Sequence, residues 1–113
     1  MSAKVPNVVA DGSFVGFTGN LSSSSIYSVA ADGLYRFNFY QESSGTIHFT
    51  LELTFTDDEG SRTLQLNEAW FTANSGGMTI PIRLKNGTSV SVQTINAQVG
   101  DTASVYYSIE SLS

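Results

Sequence analysis

The chain has 113 residues, enough for one domain with its own core. Its 41% hydrophobic and 12% aromatic content excludes a disordered polymer, and the lack of cysteine excludes a disulfide framework or a thiolate zinc site. At a net charge of −5, its few basic residues (Lys4, Arg36, Arg62, Arg83 and Lys85) are scattered, which excludes a basic stripe for nucleic acid; no apolar run approaches the ~20 residues of a membrane helix.

Val5, Val8 and Val9 flank Pro6, whose missing amide donor suits an edge strand or an extended arm. Ser13-Phe14-Val15-Gly16-Phe17 is a second short apolar piece, turned by Thr18-Gly19-Asn20. Residues 1–20 are therefore expected to form an N-terminal arm or edge strands, and residues 21–113 the body of the same single domain. A polar loop at 21–25 leads into a short strand at 26–29 and the turn Ala30-Ala31-Asp32-Gly33. Residues 34–40 alternate, with Tyr35, Phe37 and Phe39 on one face and Arg36 and Asn38 on the other. Glu42-Ser43-Ser44-Gly45 reads as a loop.

The strongest strand signal is Phe49-Thr50-Leu51-Glu52-Leu53-Thr54-Phe55-Thr56, an unbroken period of two. Asp57-Asp58-Glu59-Gly60 stops it as a charged turn, and residues 61–66 return with Leu64 and Leu66 on one face, which predicts a long antiparallel hairpin. Residues 67–71 read as a continuation of its second limb, with a bulge setting the face that Trp70 meets. Asn74-Ser75-Gly76-Gly77 reads as a flexible break. Beyond it Met78, Ile80, Ile82 and Leu84 point inward, while Pro81 points outward and marks a strand with one unpaired side. Lys85-Asn86-Gly87-Thr88 is the best hairpin signal in the chain, because Asn-Gly accepts positive φ at both centres of a type I′ turn. Val90 and Val92 open the return strand, 96–101 is a loop, and the last strand carries Val105, Tyr107 and Ile109 inward. No window has a capped helical period. The expectation is all-β: roughly eight strands at sandwich spacing, an antiparallel jelly roll. An immunoglobulin-like sandwich ranks second, because Trp70 sits mid-chain.

Chemistry-bearing residues are few. His48, the sole histidine, points away from the core face and has no orienting partner in the sequence, which favours a solvated or subunit-contact role. Asp57, Asp58 and Glu59 have the oxygens for Ca²⁺ but splay on a tight turn, which favours a solvated turn. Glu52 and Glu68 can face each other across the hairpin, as a glycosidase pair or as like charges relieved by Arg62 or Lys85. Asn20-Leu21-Ser22 and Asn86-Gly87-Thr88 match the glycosylation acceptor pattern. The expectation is no catalytic residue, no cofactor and no metal. Tyr40, Trp70 and Tyr106 fall out of phase with the inward residues, so they, with Val5, Val8 and Val9, are the candidate interface.

Three stretches together resemble the C1q and tumour-necrosis-factor jelly rolls. They are Val29-Ala30-Ala31-Asp32-Gly33-Leu34-Tyr35-Arg36-Phe37-Asn38-Phe39, the run from Gly76-Gly77-Met78 to Val90-Ser91-Val92, and Ser104-Val105-Tyr106-Tyr107-Ser108-Ile109. The resemblance covers about residues 26–110. The chain shows no collagen-like stalk, membrane anchor or secretion signal, which points away from eukaryotic signalling. Gly33-Leu34-Tyr35-Arg36 followed by Thr56-Asp57-Asp58-Glu59-Gly60 is also similar to small structural proteins of tailed phages. That resemblance implies a homotrimer with aromatic residues at its axis. The charged fraction of 13% against a usual ~25% fits the neutral polar coat of virion-surface proteins. The expected function is a non-enzymatic capsid decoration or cement protein, made in the host cytoplasm, sitting on the virion surface, with the major capsid protein as partner. The alternative is a glycan-binding head of a phage fibre, and after it a small sugar-active enzyme.

Overall fold

A computed structural model of the chain describes residues 7–43, 46–66, 70–72, 75–95 and 102–112. Its strands, in chain order, are β1 (Asn7–Phe17), β2 (Ser24–Ser28), β3 (Gly33–Ser43), β4 (Thr46–His48), β5 (Thr50–Asp57), β6 (Gly60–Gln65), β7 (Trp70–Thr72), β8 (Ser75–Leu84), β9 (Ser89–Ile95) and β10 (Ala103–Ser111). One four-stranded sheet runs β1-β10-β3-β8, a second runs β2-β9-β5-β6, and β4 pairs with β7. Every pairing is antiparallel.

Setting the short β4 and β7 aside, the pairings nest. The first strand meets the last (β1 with β10), the second the second-last (β2 with β9), β3 meets β8, and β5 meets β6 at the centre. A long hairpin folded over itself makes this pattern, with β10 then touching β3 and β9 touching β5. That is the jelly roll.

Alternation decides which side chains fill the space between the sheets. Phe37, Leu53, Val90 and Ile109 are fully shielded, with Leu51 at 1% exposure. Tyr35, Phe39, Phe49, Phe55, Ile82, Leu84, Val92 and Val105 complete the core. Each large side chain buried this way contributes about 1.5–3 kcal/mol of transfer free energy.

Several expectations need correction. The turn at Asn86-Gly87 does not close a hairpin: β8 lies in the first sheet and β9 in the second, so the turn is a corner between sheets. Gly87 has φ 85° there, and Thr88 N–H donates to Lys85 O at 3.3 Å. Asn-Gly chemistry sets a tight turn, but tertiary pairing decides what the turn joins. Gly76-Gly77 is not a break but part of β8, opposite Gln41 and Tyr40 of β3. Gly77 is required by close approach, since a Cβ there would collide with the Phe39 carbonyl oxygen. Met78 keeps its inward parity, opposite Phe39, but is 45% exposed. Trp70 does not extend the long hairpin: β6 ends at Gln65, and Trp70 opens β7, opposite His48 of β4. Glu42 and Ser43 belong to β3, not to a loop. Asn7–Phe17 is one continuous edge strand against β10, with register shifts between Val8 and Ala10 and between Phe14 and Phe17. Pro81 does lie on a sheet edge, opposite Arg36.

Candidate functional site

The outer face of the β1-β10-β3-β8 sheet gathers most of the distinctive polar and aromatic side chains. Registers stack them in rows across the strands. Val8, Glu110, Arg36 and Pro81 form one row; Asp11, Ser108, Asn38 and Thr79 the next; Ser13, Tyr106, Tyr40 and Gly77 the third. Each alternates with core residues such as Phe37, Phe39 and Ile109, so the pleat sends it outward.

Five members of the first two rows, Arg36, Glu110, Asn38, Ser108 and Thr79, form one hydrogen-bonded network. Arg36 Nε lies 2.8 Å from Glu110 Oε1, and Asn38 Nδ2 donates to the same oxygen at 2.7 Å. Asn38 Nδ2 also reaches Ser108 Oγ at 3.1 Å, and Thr79 Oγ1 donates to Asn38 Oδ1 at 2.8 Å. The Arg36 hydrogen bond, then that of Asn38, holds the Glu110 carboxyl below the usual carboxylate range, and Glu110 raises the Arg36 guanidinium in turn. The network fixes β8, β3 and β10 side by side.

The third row is aromatic. Tyr40 and Tyr106 are directly opposed, with ring centroids 6.2 Å apart, and remain 45% and 37% exposed. Tyr106 donates its hydroxyl to Glu42 Oε1 at 3.1 Å, which raises the phenol above its ordinary value. Next to it, Ser104 is tied down by accepting the Gly16 N–H at 3.0 Å. At the far corner of this face Val8 is 52% exposed, while Val9 packs against the core. The structure thus brings Tyr40 and Tyr106 together and sets Val8 on the same face two rows away. Val5, Glu68 and the side chains of His48 and Trp70 lie outside the described residues.

The opposite sheet presents a blander exterior. Glu52 accepts from Gln93 Nε2 at 2.5 Å and Gln65 Nε2 at 3.1 Å, which lowers its pKa and keeps it ionised. A carboxylate held that way is a poor proton donor near neutral pH. In the charged turn, Asp57 accepts the Glu59 backbone N–H at 2.8 Å and sits 3.0 Å from Arg62 Nε, while Glu59 Oε2 is 3.3 Å from Arg62 Nη2. The backbone bond, then Arg62, lowers Asp57. Among the described residues no group of three His, Asp or Glu is arranged to hold a metal ion, and no helix is long and apolar enough to cross a membrane.

The Glu110–Arg36–Asn38 network was not anticipated. Its members come from strands at opposite ends of the chain, and the only local signal was the outward parity of Arg36 and Asn38.

The chain matches no protein family and no curated protein. Among solved structures it is similar to the Eiger TNF from S. frugiperda, at 20% identity and TM-score 0.44, over 95% of this chain and 94% of that one. It is also similar to a family 16 carbohydrate-binding module, at 10% identity and TM-score 0.44, over 81% of this chain and 70% of that one. The nested order of its strand pairs makes the chain a jelly roll in fold.

Proposed function

We propose that the chain is a non-enzymatic assembly protein, a homotrimeric decoration protein on the capsid of a tailed phage. The observation that carries this reading is the Tyr40–Tyr106 pair, two opposed rings left outside on a face whose neighbouring rows are locked by ion pairing. Exposed aromatic anchors beside a polar, charge-paired surround have the anatomy of a protein interface. Three copies closing on this face would bury the rings at the axis and leave the β2-β9-β5-β6 exterior outside. The carboxylates with lowered pKa, Glu52, Asp57 and Glu110, are each engaged by donors, which suits a binding surface better than acid–base chemistry. The test is sedimentation of the purified protein, followed by binding to capsids lacking it. A trimer that binds capsids supports the proposal; a monomer at high concentration, or a protein that binds host cells and not capsids, overturns it.

A second reading is a glycan-binding fibre head. It is favoured by the Tyr106 hydroxyl set on Glu42 beside two exposed rings, which offers a stacking surface and polar atoms together. Retention on a glycan array, abolished in Tyr106→Ala, would select it.

A further inference from the structure

We propose that Asn86 is a site of spontaneous deamidation and that a latch between the 29–32 segment and the 85–88 turn sets its rate. Asn86 is the only asparagine followed by glycine in the chain, and both residues are exposed. The reaction needs no partner but water. The Gly87 backbone nitrogen, having lost its proton to solvent, attacks Asn86 Cγ. The new N–Cγ bond forms as the Cγ–Nδ2 bond breaks and ammonia leaves, giving a succinimide. Water then opens either imide bond, yielding aspartate or isoaspartate. Glycine is the most permissive successor, because no side chain obstructs the attack and its backbone reaches the required geometry easily.

The fold restrains that nitrogen. Gly87 N–H donates to Val29 O at 3.0 Å, and Val29 N–H returns a bond to Thr88 O at 2.9 Å. Asn86 N–H donates to Asp32 Oδ1 at 2.7 Å, and Thr88 Oγ1 donates to Lys85 O at 2.6 Å. The anchoring side is rigid: Val29 is 4% exposed, and the Tyr35 hydroxyl holds Ala31 O at 2.7 Å. The proton that must leave is therefore committed to Val29, and the backbone on both sides of Cγ is fixed. Reaction requires the latch to open. Once it occurs, a new carboxylate or a lengthened backbone stands where Asn86 faced Asp32, and the latch does not re-form as before. The affected corner is the one that carries the chain from β8 in one sheet to β9 in the other.

The test is peptide mapping of the full chain incubated at mildly alkaline pH, scoring aspartate and isoaspartate at position 86, with native-state exchange of the Gly87 amide measured alongside. Wild type in urea is expected to react far faster than folded wild type. Asp32→Ala, checked by melting to be folded, is expected to react about tenfold faster than wild type, the equivalent of about 1.4 kcal/mol of easier opening. Asp32→Ser, which keeps a short acceptor oxygen without creating a second asparagine–glycine pair, is expected to stay near wild type. Equal rates in folded and unfolded wild type would overturn the proposal. So would a folded Asp32→Ala at the wild-type rate. Should Asp32→Ala fail to fold, the Gly87 amide decides: strong protection together with slow reaction upholds the latch, and free exchange with slow reaction refutes it.

Discussion

Replacing Tyr40 and Tyr106 by serine separates what these rings do for the fold from what they do for assembly. They are 45% and 37% exposed, so more than half of each is covered in the monomer, and losing that burial costs about 1 kcal/mol per ring. The monomer loses a tilted ring pair at 6.2 Å, worth about 0.5–1.5 kcal/mol. It also loses one surface hydrogen bond from Tyr106 to Glu42, at most about 1 kcal/mol. The expected cost in folding is about 3 kcal/mol, a melting shift of about 10–20 °C. If the same rings are interface anchors, each truncation costs about 2 kcal/mol or more per contact. That is about 30-fold in dissociation constant for each ring. The double variant should melt about 10–20 °C low yet stay folded and sediment as a monomer where wild type is a trimer. Tyr106→Phe keeps the ring and should keep the trimer. The pair should couple in a double-mutant cycle, because the rings are in contact. A double serine variant that assembles at the wild-type concentration would refute the reasoning.

Leu53→Ala, at a fully buried position, should lose about 2–5 kcal/mol in urea denaturation; Leu51→Asp and Phe37→Ser should unfold the domain, and an unchanged melting curve for either would contradict the strand phasing. Acid should destabilise the protein. Glu110 is held low by Arg36 and Asn38, Glu52 by Gln93 and Gln65, and Asp57 by the Glu59 N–H and Arg62, so their folded values lie below their unfolded ones. Their contribution is present above the ordinary carboxylate values of about 4 and is lost as pH falls through the lowered ones; a urea midpoint that stays flat from neutral pH to about 3 would count against this. Alkali should destabilise it through Tyr35, whose phenol burial, then the Tyr27 hydrogen bond, pushes up to about 12. A raised value favours the neutral phenol in the fold, so that stability is complete below the unfolded value of about 10 and is lost as pH rises toward the folded one. An ultraviolet titration should show a late phenolate step, missing in Tyr35→Phe.

Period-two alternation made the inward faces of β3, β5, β9 and most of β10 legible, because side-chain direction in a strand is set residue by residue. Tyr40 and Tyr106 were marked as outward by the same rule. Their direct opposition was not legible: it depends on β10 docking against β3, a pairing between distant parts of the chain with no local signature. Asn86-Gly87 misled for a related reason, since turn chemistry fixes a bend without choosing the strands it joins. Gly76-Gly77 read as a break because glycine carries no pattern, yet β3 approaches so closely there that only glycine fits. Met78 kept its inward parity but escapes burial, because alternation says nothing of where along a strand the core stops.

The nesting of strand pairs also sets an order of events in time. The turn at Asp57 to Gly60 closes the innermost pair over a handful of residues, whereas Asn7 must find Ser111 across nearly the whole chain. Loop-closure entropy rises with each enclosing layer, and topologies rich in such distant pairings fold over about milliseconds to seconds. The chain should therefore zip outward from the β5–β6 hairpin, with β1, held on a single side, arriving last and fraying first.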